Sequence, residues 1–167
     1  MTATNAEYRI LGVDPGLVVT GLGVVRAESG RCVFIETKKI SPPVAKVLPA
    51  RLDYIYTEAS AFISSCRPAV IVVEKLIYCR NAQVALKLGH ARGVLLLAAA
   101  RAGVPVREYT PREVKLSVAG NGAASKLQIQ RMVQAILNLP EKPEPHDLAD
   151  ALALAICHAH RTKANAK

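Results

Sequence analysis

The stretch Arg9-Ile-Leu-Gly-Val-Asp14-Pro-Gly-Leu-Val-Val-Thr-Gly-Leu-Gly-Val-Val25 sets a single carboxylate, Asp14, inside an apolar run and follows it with Pro15-Gly16. Tyr8–Asp14 is rich in Ile, Leu and Val and reads as a strand broken at Pro15-Gly16. Thr20–Arg26 and Cys32–Ile40 read as two further strands about a Ser29-Gly30 turn, ended by Ser41-Pro42-Pro43. An unpaired carboxylate at the end of a buried strand is costly. The rest of the chain must therefore supply its compensation. Gly16 and Gly21 are expected to permit a tight turn and the close approach of a ligand beside that acid.

Beyond Pro43 the pattern changes. Leu48, Leu52, Ile55, Tyr56, Ala59, Phe62, Ile63 and Cys66 recur at helical spacing, predicting a helix over Leu48–Cys66 that Pro68 terminates. Ala69–Val73 is a short run of wholly apolar residues, as in a strand buried on both faces, and it runs straight into Glu74. Asn81–Ala102 is helical in pattern and closed by Gly103, and Val104–Tyr109 reads as a strand stopped before Pro111. Pro111–Val118 and Ser125–Leu139 are predicted helices around a Gly-Asn-Gly loop. A Pro/Glu/Lys linker, Pro140–Pro145, leads to a last helix from about His146 to Arg161. The order predicts an α/β fold, a mixed sheet with helices on both faces. One domain over 1–167 is expected, with 1–8 and 162–167 as flexible ends.

Composition narrows the function classes. With 51% hydrophobic and 21% charged residues the chain is globular, not disordered. No apolar run reaches the roughly 20 residues that span a bilayer, and residues 1–8 lack the apolar centre of a signal peptide. A cytoplasmic protein without a membrane partner is the expectation. Cys32, Cys66, Cys79 and Cys157 are scattered without a CxxC pair, which predicts buried free thiols rather than zinc ligands or disulfides. The 22 Lys and Arg against 13 acidic residues give +9 and favour a polyanion as partner.

Asp147 and Asp150, three residues apart on the last helix, project beside the apolar face formed by Leu148, Leu152, Ala155, Ile156 and Ala159. Capping and the helix dipole account for an aspartate at Asp147. They do not account for Asp14 and Glu74 at strand ends. If the two strands are neighbours and the last helix crosses their ends, all four carboxylates converge, and like charges so placed stay ionised only with something positive among them. Hard oxygen ligands suit Mg²⁺ or Mn²⁺, and a pair of such ions can activate water and stabilise a departing oxygen in phosphodiester cleavage. Isolated structural carboxylates are the alternative.

Four stretches carry a resemblance: LGVDPGLVVTGLGVV, VVEKLIYCRNAQVALKLGHARGV, EYTPREVKLSVAGNGAASKLQIQRMV and HDLADALALAICH. In order and spacing they resemble the signature blocks of the RuvC-type Holliday junction resolvases, endonucleases of the ribonuclease-H-like fold, over roughly residues 9–160. The resemblance implies that Asp14, Glu74, Asp147 and Asp150 are the catalytic, metal-holding acids for two Mg²⁺ ions. It makes Lys115 and Lys126 the basic residues near the scissile phosphate. Where the family carries an aromatic residue three positions after the strand-end glutamate, this chain has Ile77, with Tyr78 beside it; either would enter the junction, by wedging or by stacking. Arg80, Asn81 and Arg92 are expected DNA contacts, and Lys87 is balanced between a phosphate contact and a surface ion pair. In some relatives a histidine replaces the earlier aspartate of the final pair, so His146 stands as an alternative to Asp147. Four-way junction DNA, a homodimer partly built on Val94–Ala100 and a branch-migration helicase complex are the implied partners. A nucleic-acid-binding module of the same fold that does not cut is the rival reading.

Overall fold

Side chains alternate between the two faces of a strand, and β1 (Arg9–Asp14) uses that alternation to divide the molecule. Ile10 points into one buried cluster, Leu11 and Val13 into another on the opposite face. The structure is a computed structural model that describes residues 8–28, 30–75 and 81–164.

After β1 come β2 (Thr20–Glu28), β3 (Arg31–Ile40), α1 (Leu48–Cys66), β4 (Val70–Glu74) and α2 (Ala82–Arg101). Then follow β5 (Val106–Tyr109), α3 (Pro111–Ala119), α4 (Lys126–Leu137) and α5 (His146–Ala164). The sheet runs β3-β2-β1-β4-β5. β1, β2 and β3 are antiparallel, while β4 lies parallel to β1 and β5 parallel to β4. On one face Leu11, Val13, Leu22, Ile71 and Val73 pack with Ile55 and Phe62 of α1 and Leu95 and Ala98 of α2. On the other, Ile10, Val70 and Val72 pack with Val114 of α3, Ile129 and Val133 of α4, and Leu152 and Ile156 of α5. The expected mixed sheet with helices on both faces is what forms.

Several expectations shift. α5 continues to Ala164, so Thr162 is helical rather than the start of a frayed tail. Its hydroxyl donates to the carbonyl of His158, one turn back, at 2.9 Å. Tyr8 is held, not loose: its carbonyl accepts from Ala27 N at 3.1 Å and its hydroxyl meets His158 Nε2 at 3.1 Å. α5 is not a helix with one greasy face, because every residue from Ala151 to Ala159 is buried between the sheet and the α3–α4 pair. The alanines at 149, 151, 153, 155 and 159 make it thin enough to be enclosed. Cys32, Cys66 and Cys157 are buried free thiols, as expected, and Cys79 lies outside the described residues.

Candidate active site

Strand register brings the first two acids together. β1 and β4 are parallel with Val13 opposite Val73, so Asp14 and Glu74 are the next residues on adjacent strands. Val13 and Val73 both face α1 and α2. By the alternation of the pleat, Asp14 and Glu74 both face α5.

Glycines then let α5 down onto that surface. Asp14 is paired on its other side with Gly21, and Gly12 with Gly23. A Cβ on Gly12 would stand 1.8 Å from the Ala151 carbonyl oxygen, one on Gly21 would stand 2.1 Å from that of Asp147, and one on Gly23 would meet the Leu152 side chain at 2.8 Å. The three together form a trench in β1 and β2 that α5 fills with its backbone. This corrects the reading of Gly21 as space for a ligand: the close approach is made by the helix that carries Asp147 and Asp150. Gly16 does serve a turn, since a Cβ there would meet the Val19 carbonyl oxygen at 2.1 Å.

The lysines arrive on capped helices. At the start of α3, Thr110 Oγ1 accepts from Glu113 N at 3.2 Å and Glu113 Oε2 accepts from Thr110 N at 2.8 Å. At the start of α4 the same reciprocal pair joins Ser125 and Gln128, which fixes Lys126 as the first helical residue. Asp14, Glu74, Asp150, Lys115 and Lys126 thereby line one cleft of about 370 Å³, floored by Val114, Ile129, Ala153 and Leu154. Asp147 stands outside that lining yet close enough to act on Asp14 and Asp150.

Electrostatics registers the crowding. Burial first, then the charges of Asp150, Asp147 and Glu74, push the Asp14 carboxyl up to about 7 from 3.8, against the pull of Lys126. Burial and Asp150 raise Glu74, opposed by Lys126, Lys115 and Arg92. Burial is also the largest influence raising Asp150, with Asp147 adding to it and Lys126 the strongest opposing charge. The donor set is all carboxylate oxygen and its members repel one another, so its chemistry fits a hard dication. Among the described residues no three acidic, histidine or cysteine side chains stand together closely enough to hold a metal ion, and Asp14, Glu74 and Asp150 are spread along the lining of the cleft. His146 is exposed at the head of α5 and does not line it.

Of the other expected contacts, Ile77, Tyr78 and Arg80 lie outside the described residues. Asn81 caps α2, its Oδ1 accepting from Gln83 N at 3.0 Å and Val84 N at 3.2 Å. Lys87 borders a separate groove with Leu17, Leu48, Arg51 and His90. Arg92, expected to meet a phosphate, is instead turned inward: its side chain is 11% exposed, bonded to the Glu74 carbonyl at 2.6 Å and paired with Glu108. Sequence reading also missed Arg51, whose Nη2 donates to the Leu17 carbonyl at 2.6 Å and ties α1 to the turn after Asp14.

The family model described as crossover junction endodeoxyribonuclease RuvC matches residues 10–158. This chain belongs to the RuvC family. It is 47% identical to the crossover junction endodeoxyribonuclease RuvC of Syntrophomonas wolfei over 91% of this chain and 88% of that one. It is 49% identical to the RuvC of Moorella thermoacetica over 90% of each. Among solved structures, Thermus thermophilus RuvC in complex with Holliday junction substrate superposes with a TM-score of 0.89 at 34% identity, covering 95% of this chain and 96% of that one. The RuvC family's ribonuclease-H-like fold is therefore this chain's fold, and the trench, the acids and both lysines lie inside the matched span.

Proposed function

We propose that this chain is a structure-selective endonuclease that resolves four-way DNA junctions by paired, symmetric nicks in recombination and repair. One observation carries the reading: acids from β1, β4 and α5 and lysines from α3 and α4 share a single cleft. Asp14, Glu74, Asp147 and Asp150 would hold two Mg²⁺ ions, with Mn²⁺ able to replace them. Bound there, the ions supply an activated water and stabilise the departing 3′ oxygen, leaving 5′ phosphates. The chain's own residues do the rest. Lys115 and Lys126 neutralise the backbone phosphate and the charge that builds on it.

Two opposed nicks need two sites, which a two-fold homodimer supplies. Leu97 is 51% exposed on α2 while Leu95 and Ala98 are buried in the core, so only part of Val94–Ala100 is free to join such an interface. A branch-migration helicase complex as a further partner rests on the family. No described helix is long and apolar enough to cross a membrane.

The test incubates the full chain with a labelled mobile four-way junction and with linear duplex of the same sequence, in Mg²⁺ or EDTA. Cleavage of the junction alone, in Mg²⁺ alone, is expected, and Asp14→Asn should bind the junction without cutting it. Tight junction binding by the wild type with no cleavage in Mg²⁺ would establish the non-cutting module instead.

A further inference from the structure

Glu74 is held from both sides of the sheet. Its side chain faces α5 and the cleft, while its backbone is reached from the opposite face by Arg92 of α2. Arg92 Nη1 donates to the Glu74 carbonyl oxygen at 2.6 Å, and Nη2 donates to Glu108 Oε1. Glu108 lies on β5, paired in register with Val73, the residue before Glu74. The guanidinium thus ties the end of β4 to β5 at the point where Lys75 N, donating to the Tyr109 carbonyl at 2.7 Å, closes the pairing of the two strands. A planar fork of donors can make both bonds at once, and the single ammonium of a lysine cannot reproduce that geometry.

We infer that Arg92 is a positioning residue: it fixes the backbone of Glu74 against β5 and so sets where the Glu74 carboxylate stands in the cleft. The inference rests on the proposed role of Glu74 as a metal-holding acid. It removes one positive charge from the set available to DNA, because this guanidinium is already engaged at both ends. Partners of this kind behind a ligand typically change metal affinity or activity by roughly 10–100-fold when replaced.

The experiment compares the wild type, Arg92→Lys, Arg92→Gln, Glu108→Gln and the Arg92→Lys/Glu108→Gln double variant in the full chain. Each is measured for Mn²⁺ affinity by calorimetry, single-turnover junction cleavage in Mg²⁺, and junction affinity across a salt series in EDTA. Arg92→Lys is expected to weaken Mn²⁺ binding and slow cleavage by roughly 10-fold or more. Junction affinity and its salt slope should stay as in the wild type in both Arg92 variants. Glu108→Gln, on an edge strand with its side chain 42% exposed, keeps the fold and should move both readouts in the same direction by less. The double variant should be no worse than Arg92→Lys, since both act through one guanidinium. Wild-type Mn²⁺ affinity in Arg92→Lys overturns the inference. So does an Arg92→Gln variant, which removes the charge, whose junction affinity falls with the salt slope reduced by about one, the mark of a lost phosphate contact. A wild type that binds Mn²⁺ but cuts no junction defeats the nuclease reading alone, and the Mn²⁺ series still decides Arg92. A wild type without Mn²⁺ affinity defeats both.

Discussion

The two ends of α5 bury polar chemistry in opposite ways. At its first turns Asp147 and Asp150 are set against Asp14 and Glu74, four groups of one sign tempered by Lys126, Lys115, Arg92 and His146. Near its last turn His158, 4% exposed, has a partner at each ring nitrogen: the Tyr8 hydroxyl at 3.1 Å from Nε2 and the Tyr109 hydroxyl at 2.8 Å from Nδ1. Burial, and then the charge of Arg107, lowers the His158 pKa and keeps the ring neutral. A buried polar group with all its bonds made locks a structure. One left in conflict with its neighbours points to a ligand that resolves the conflict.

The sharpest break of that contrast is at the acidic end. Asp150→Asn should cost more than roughly 100-fold in junction cleavage, beyond the loss expected from an outer-shell partner, with junction affinity unchanged in a gel-shift titration. Gly21→Ala comes next. Its methyl would stand 2.1 Å from the Asp147 carbonyl, so α5 must lift, at a cost of about 3 kcal/mol and a Tm lower by roughly 6–12 °C. Gly89→Ala, where nothing lies within 4 Å of the added carbon, should raise stability by up to about 1 kcal/mol.

The ends should also respond to pH with opposite signs. Asp14 titrates at about 7 in the folded chain against 3.8 as a free side chain, so its stabilising contribution is complete below about 4 and is lost as pH rises through about 7. His158 is shifted down from 6.5, so its contribution is present above that value and lost as pH falls below it. In EDTA, Asp14→Asn should be more stable than the wild type at pH 8, and the gap should close by pH 4 in thermal melts. Tyr8→Phe is expected to have a small effect, confined to stability. It removes one bond to His158, costs about 1 kcal/mol and leaves the cleavage rate alone.

Much of this was legible in the sequence because the costly groups interrupt simple patterns. Asp14 and Glu74 terminate apolar runs, and the i, i+3 acids of α5 adjoin an alanine-rich helix, so their convergence followed from placing three elements. What stayed hidden depends on contacts between residues far apart in the chain. Gly12, Gly21 and Gly23 are needed because α5 crosses them, and nothing local marks them as a trench rather than as turn residues. Arg92 looked like a surface cation because a helical pattern does not say whether a long side chain folds back to the sheet. The enclosure of α5 on all sides was likewise invisible until α3 and α4 were in place.

Proton-coupled metal binding gives the most direct measurement. Mn²⁺ is titrated into the wild type and Asp14→Asn at pH 7 and pH 8.5, in buffers of different ionisation enthalpy. With a carboxyl titrating at about 7, the wild type should bind and release on the order of half a proton from Asp14 at pH 7 and almost none at pH 8.5. Asp14→Asn should bind far more weakly and without that release. Failure of the wild type to bind Mn²⁺, or equal affinity and proton release in Asp14→Asn, would contradict a metal-holding acid cluster in this cleft.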